Sequence, residues 1–112
     1  MENFPEFMRA PANRVPGRQQ NTPDIEGYFY TAVNGGQMAF WTCAADRASN
    51  EHTHDFDEYV VCVSGEYTAI LGGRKTVLRA GDEILIPGGT PQSARCKAGT
   101  RTIHAFGGAR IR

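Results

Sequence analysis

The sequence has no excess of charge of either sign. Lysine plus arginine and aspartate plus glutamate number 12 each, and the isoelectric point is about 6.8. A protein that binds nucleic acid or an anionic membrane surface through its charge needs a basic face, and a balanced composition does not provide one. We therefore expect neither nucleic acid nor a membrane among the partners.

Long hydrophobic runs are also missing. The longest uninterrupted apolar run, residues 59–63, is much shorter than the roughly 18 residues that a membrane span needs. Residues 1–20 are polar and contain prolines, and they lack the hydrophobic stretch of a signal peptide. These absences predict a soluble, cytoplasmic protein.

Cysteine is scarce as well. The chain has three cysteines, Cys43, Cys62 and Cys96, an odd number without a closely spaced pair. This spacing offers neither a disulfide framework nor a Cys-x-x-Cys zinc site. It predicts three free thiols in a reducing compartment.

The 112 residues have room for a single domain. Four of the six prolines fall within the first 23 residues, where they exclude a long helix. We interpret residues 1–24 as an N-terminal arm and residues 25–112 as the domain. The arm has one apolar patch, formed by Phe4, Phe7 and Met8. This patch anchors the arm to the domain or to a second subunit; the alternative is that the arm is a frayed tail. With the aromatic residues of the early strands, this patch predicts a homodimer.

The domain has the pattern of an all-β protein. Short runs rich in Tyr, Phe, Val, Ile and Thr alternate with glycine-containing turns, and no helical period extends over more than ten residues. Eight short strands of this kind are typical of a sandwich or a small barrel. The predicted strands lie near 26–33, 37–44, 58–64, 66–71, 75–79, 83–86, 91–96 and 101–106.

Residues 51–58 are the segment richest in potential metal ligands. They include two of the three histidines and four of the 12 acidic residues, and no basic residue. On an extended chain His52 and His54 point to the same side about 7 Å apart along the backbone, and Glu58 shares their parity. Two imidazoles and a carboxylate suit Fe²⁺, Mn²⁺, Ni²⁺ or Zn²⁺. The alternative is a solvated acidic loop with incidental histidines.

Two motifs resemble those of the cupin superfamily. His52-x-His54-x-x-x-Glu58, followed by six residues and then Gly65, is similar to the first cupin motif. Residues 81–89, Gly-Asp-Glu-Ile-Leu-Ile-Pro-Gly-Gly, are similar to the start of the second. The resemblance implies a single small jelly-roll barrel of two antiparallel sheets. It also implies a divalent metal inside the barrel, held by the two histidines and the glutamate of the first motif and a histidine of the second.

Gln92 occupies the position of that last histidine. Its amide oxygen is a weaker and harder donor than an imidazole nitrogen, so Gln92 either ligates the metal directly or hydrogen-bonds to the groups around it. Strand parity places its side chain inside the barrel. Arg95 and Lys97 have the opposite parity and must face water, so Gln92 points the other way. We therefore count it with His52, His54 and Glu58 as a candidate metal residue.

The last predicted strand places His104 inside the barrel. By parity Arg101 points outward to solvent, whereas Thr102, His104 and Phe106 point inward. An inward histidine is either a hydrogen-bonded core residue or, beside a metal, a proton-transfer group. Cys62 also points inward, and it is either a small buried hydrophobic residue or a thiol near the metal.

The resemblance leaves the function open among several classes. The first expectation is a small-molecule metalloenzyme of dioxygenase type, in which Glu58 or His104 transfers a proton. The alternatives are a metal-dependent isomerase or lyase, a non-catalytic sugar- or effector-binding protein, and a metal-free assembly module.

Overall fold

The computed structural model describes all 112 residues and contains nine β-strands. Three 3₁₀ turns, Glu6–Met8, Pro11–Asn13 and Gly17–Gln19, precede the strands, and there is no α-helix. No helix is therefore long and apolar enough to cross a membrane. The strands are β1 (Glu26–Thr31), β2 (Gln37–Cys43), β3 (Arg47–Ala48), β4 (Glu58–Ser64), β5 (Glu66–Leu71), β6 (Arg74–Arg79), β7 (Glu83–Ile86), β8 (Gln92–Cys96) and β9 (Thr100–Phe106).

The strands form two antiparallel sheets that face each other. One has five strands in the order β1-β2-β9-β4-β7, and the other has four in the order β3-β8-β5-β6. This architecture confirms the predicted all-β jelly-roll barrel. The eight predicted strands are all present, with ends within two residues of the prediction. The strand that the prediction missed, β3, has only two residues and is too short to show a period.

Alternation along β4 and the segment before it decides which side chains enter the barrel. From residue 51 to residue 60, every even-numbered residue is less exposed than its odd-numbered neighbours. β4 pairs with β9 so that Val60 lies opposite His104 and Cys62 lies opposite Thr102. His104 is therefore near the centre of the five-stranded sheet, on its inner face.

Gly65 closes the turn between β4 and β5 where no other residue fits. Its φ is +79°, and an added Cβ would lie 2.6 Å from the Cα of Thr100. Both the left-handed backbone and the close approach of β9 require glycine. This explains in physical terms the glycine that ends the first motif.

The start of the N-terminal arm lies on the outer face of the five-stranded sheet. Phe4 is only 6% exposed and its ring centroid is 5.3 Å from that of Phe40. The guanidinium of Arg101 lies 5.1 Å from the Phe4 ring centroid, and its Nε donates a hydrogen bond to Ser64. Arg101 does point outward as predicted, but the expectation that it faces water is wrong, because the arm covers it and leaves it 8% exposed.

Replacing Phe4 with alanine should destabilise the protein. A buried phenylalanine truncated to alanine costs about 3 kcal/mol through lost burial and the cavity left behind. Phe7, three residues along and 82% exposed, is the matched control, and Phe7→Ala should change the free energy of unfolding by less than about 0.5 kcal/mol. Urea unfolding of the two variants measures the difference. Equal stabilities would mean that the arm does not hold the barrel.

The structure corrects the expectation of three free thiols. Cys43 and Cys96 form a disulfide with a Cα–Cα distance of 6.7 Å, within the range that such bonds adopt. It joins β2 of one sheet to β8 of the other. The two cysteines are 53 residues apart, and sequence spacing alone does not show that facing strands bring them together. Cys62 is the one free cysteine.

The homodimer stays a prediction. Apolar side chains that a second copy would cover are present on the outer surface, among them Phe7, Met38 and Leu85. The cytoplasmic location and the division at residue 24 also stay predictions.

Candidate metal centre

The barrel interior contains a cavity lined by residues of both sheets. The space open to the centres of water molecules is about 60 Å³, enough for a handful of waters. Five side chains singled out in the sequence line this cavity: His52, His54, Glu58, Gln92 and His104. The structure thus brings together residues from three separate segments of the chain.

Backbone pairing places His52 beside Gln92. The N–H of each residue donates to the carbonyl oxygen of the other, both at 2.8 Å, so the two form an isolated β-bridge. The His52 Nδ1 lies 2.9 Å from the carbonyl oxygen of Asn50. Because a carbonyl only accepts, Nδ1 carries the ring proton, and Nε2 keeps a free lone pair. The His52 ring is therefore held in the tautomer that binds a metal through Nε2.

His54 and Glu58 approach each other without forming a hydrogen bond. The His54 Nε2 lies 3.7 Å from the Glu58 Oε1, and both atoms are buried with no hydrogen-bond partner. The ring of His54 stacks on Phe56 at a centroid distance of 5.0 Å. Burial lowers the pKa of His54, more strongly than the nearby Glu58 raises it, so the ring is neutral at pH 7. Buried unpartnered polar atoms are rare and costly, and a cation would satisfy both.

The other oxygen of Glu58 begins a short hydrogen-bonded chain. Glu58 Oε2 lies 2.7 Å from His104 Nδ1, and His104 Nε2 lies 2.9 Å from the Thr102 hydroxyl. Burial alone would raise the pKa of Glu58, but the hydrogen bond from His104 and the electrostatic interaction with that ring lower it overall. Glu58 is therefore a carboxylate at neutral pH. His104 Nδ1 donates to it, and His104 Nε2 accepts from Thr102.

The predicted ligands are near one another but are not assembled as a finished site. The rings of His52 and His54 have their centroids 5.0 Å apart. No group of three or more His, Cys, Asp or Glu side chains is arranged to hold a metal ion. Ligation by all the candidate residues would need side-chain rotation, for which the cavity supplies the space. Cys62 takes no part, since its thiol bonds to the Ser64 carbonyl oxygen and burial raises its pKa.

Sequence reasoning missed several residues of the cavity wall. Trp41 and Tyr67 contribute aromatic surface, Gln20, Asn21 and Thr22 come from the arm, and Arg110 comes from the segment after β9. Trp41 was detectable, because it lies on β2, a strand that the sequence predicts, and alternation along that strand gives its direction. The arm residues and Arg110 lie outside the periodic strands, and no sequence pattern places them at the barrel.

A family model described as "Cupin domain" matches residues 39–104, more than half of the chain. Both motifs lie within the matched range. The chain belongs to the cupin family. No curated protein sequence matches it significantly.

Solved structures agree with this assignment at the level of the fold. An RmlC-like cupin from Shewanella frigidimarina superposes with a TM-score of 0.67 at 20% identity, covering 84% of this chain and 92% of that one. The polyketide cyclase RemF from Streptomyces resistomycificus gives a TM-score of 0.72 at 14% identity, with 95% and 78% covered. A salicylate 1,2-dioxygenase from Pseudaminobacter salicylatoxidans gives 0.68 at 13% identity, with 73% and 26% covered.

These similarities establish the fold of this cupin and leave its reaction open. The same barrel is found in an enzyme named as a cyclase and in one named as a dioxygenase. Function must therefore be argued from the side chains of this chain.

Proposed function

We propose that this cupin binds one divalent transition metal in its barrel and acts on a small molecule there, in a reaction of dioxygenase type. The observation that carries the proposal is the pair of buried, unpartnered atoms His54 Nε2 and Glu58 Oε1, 3.7 Å apart. A cation between or beside them would offset the cost of leaving both without a partner.

The donor chemistry of the cavity fits such an ion. His52 and His54 each offer Nε2, and Glu58 offers Oε1, which together make a two-histidine, one-carboxylate set. This set suits Fe²⁺, Mn²⁺, Ni²⁺ or Zn²⁺ and leaves coordination positions open for a substrate. Gln92 would add its amide oxygen or orient a bound water. When bound, the metal supplies Lewis-acid polarisation of a chelating substrate and, in the case of iron, an electron donor for dioxygen.

Glu58 and His104 are the residues that we propose move a proton. The Glu58 Oε2 and His104 Nδ1 share one proton across 2.7 Å, and Thr102 holds the far side of the ring. A carboxylate with one oxygen turned to the cation position can take a proton from a substrate at that oxygen. His104 keeps its Nδ1 proton on the other oxygen, and the ring can accept a further proton at Nε2, on the Thr102 side. The apolar walls, including Trp41 and Phe106, limit the access of water to this pair.

Elemental analysis of protein purified without added metal tests the proposal. We expect about one equivalent of a transition metal, and stoichiometric iron together with dioxygen uptake would support the dioxygenase assignment. A metal without dioxygen uptake would favour an isomerase or lyase. Protein that has no metal and takes up none on addition would contradict the proposal and favour a metal-free assembly module.

A non-catalytic effector- or sugar-binding cupin is the second candidate. It is favoured by the polar side chains of the cavity wall, where Asn21, Thr22 and the Ser49 hydroxyl can hydrogen-bond to a hydroxylated ligand. Reversible binding of a ligand that is never turned over would support this candidate.

Gln92→His should tighten metal binding. The substitution replaces an amide oxygen by an imidazole nitrogen, the stronger donor for these metals, and we expect an affinity higher by about tenfold or more. Turnover should fall if the substrate needs the same coordination position. Competition with a chelator measures the affinity, and Gln92→Ala is the matched control that removes the side-chain donor. Equal affinities for the wild type, Gln92→His and Gln92→Ala would mean that residue 92 does not contact the metal.

A further inference from the structure

Arg110 is a charged residue of the cavity wall that the proposed metal chemistry does not use. It follows β9, and its guanidinium lies 5.3 Å from the ring centroid of Trp41 and 5.7 Å from that of Phe106. It lines both the barrel cavity and a more open cleft outside it. A molecule that enters the cavity from this cleft passes the guanidinium.

The protein leaves most of the hydrogen-bonding capacity of Arg110 unused. Its one hydrogen bond runs from Nη1 to the carbonyl oxygen of Gln19, at 2.9 Å. A guanidinium has five N–H donors, so four of them have no protein partner. Arg110 also forms no ion pair with any carboxylate of the chain. None of its nitrogens is a buried atom without a partner, so the free donors are open to the cavity and the cleft, where the anionic group of a ligand can accept from them.

The charges inside the barrel point to an anionic ligand. Glu58 is the one acidic side chain of the cavity wall, and its two oxygens face His54 and His104. The charges of Glu58 and Arg110 cancel. A divalent cation would therefore leave the cavity with an excess of two positive charges, which a carboxylate would reduce.

We infer that Arg110 recognises a carboxylate, and that the ligand of this cupin is a small carboxylic acid. The planar guanidinium matches a carboxylate with two parallel hydrogen bonds, and the rings of Trp41 and Phe106 lie beside it. The inference rests on the proposed small-molecule site. The free donors of Arg110 carry it whether or not a metal is bound, and a metal would only add to the positive charge that the carboxylate meets. It assigns a substrate class and adds a residue for recognising it.

Trp41 provides the measurement. It is the only tryptophan of the chain and lies beside Arg110, so its fluorescence should report binding at the guanidinium. The probes are lactate and lactamide, which differ in one carboxylate and have nearly the same size. Each is titrated into the protein as purified and again after treatment with a chelator. We expect a saturable response to lactate in both samples and a response to lactamide at least about tenfold weaker.

Variants connect the response to Arg110. Arg110→Gln should weaken lactate binding by about 10- to 100-fold and leave lactamide unchanged, while Arg110→Lys should recover part of the loss. Arg95→Gln, which removes the same charge from an exposed position of β8, should have no effect. The wild-type comparison of lactate with lactamide needs no variant, so the inference remains testable if Arg110→Gln fails to fold.

The outcomes separate this inference from the metal proposal. Equal binding of lactate and lactamide, no saturable response to lactate, or full lactate affinity in a folded Arg110→Gln variant would overturn it. Tighter binding of inorganic phosphate than of lactate would overturn the carboxylate assignment. Discrimination that persists in protein unable to bind metal would support Arg110 while the metal proposal fails. A protein that binds the metal but does not distinguish lactate from lactamide would support the metal proposal while the inference about Arg110 fails.

Discussion

A protein in which His52 and His54 are both replaced by alanine should retain almost none of its metal. The two imidazoles are the softer donors of the candidate set, and the remaining Glu58 and Gln92 offer only oxygen. Their loss should reduce metal content from about one equivalent to near zero. Elemental analysis of the purified variant, followed by calorimetric titration with Fe²⁺, Mn²⁺, Ni²⁺ and Zn²⁺, measures the change.

The control for this experiment comes from the same segment. Asp55 lies directly after His54, but its side chain is exposed, so Asp55→Asn changes one charge of the segment without touching the cavity. It should keep a full metal equivalent. A folded double-histidine variant that also keeps a full equivalent would show that the metal lies elsewhere in the protein.

Strand alternation is the reason that so much of the barrel could be predicted. A period of two is imposed by the backbone and is therefore visible in sequence, and it assigned His52, His54, Glu58 and Gln92 to the interior. The same rule placed His104 on the inner face of β9. All five line the cavity, because extended backbone, in the strands and in the segment before β4, leaves only two directions for each side chain.

Alternation does not determine how one strand lies relative to another. Cys96 shares the inward parity of Gln92, yet its disulfide with Cys43 depends on β2 and β8 facing each other across the barrel. Arg101 shows the same limit on the outer face. Its outward direction was predictable, but its burial depends on where the arm places Phe4.

The irregular segments were the least predictable part of the site. Arg110 lies in a region without strand or helix, and Gln19 holds it through a backbone carbonyl, which any residue type provides. Neither residue has a sequence signal that indicates the barrel. Recognition groups carried by such segments can therefore vary among proteins that share one fold, which is consistent with the range of reactions named for similar barrels.

Replacing His104 with glutamine should reduce turnover by about 10²- to 10⁴-fold, the loss typical of a missing general acid or base. The glutamine amide can still donate to Glu58 Oε2, so the buried carboxylate keeps a partner and the fold is preserved. It cannot exchange a proton with the carboxylate as the imidazole does. We therefore expect metal content and melting temperature close to those of the wild type. The rates are measured with a panel of chelating substrates, namely diketones, catechols, 2-hydroxy acids and 2-keto acids.

Thr102 provides the control that separates proton transfer from positioning of the ring. Thr102→Val removes the hydroxyl 2.9 Å from His104 Nε2 while leaving the Glu58 contact intact. If His104 transfers the proton, Thr102→Val should lower the rate much less than His104→Gln and should shift the pH profile, because the imidazole loses one of its two partners. A His104→Gln variant that loses its metal or unfolds would assign a structural role to His104. A variant that turns over at the wild-type rate would show that His104 does not transfer the proton, and Glu58 would remain as the proposed proton acceptor.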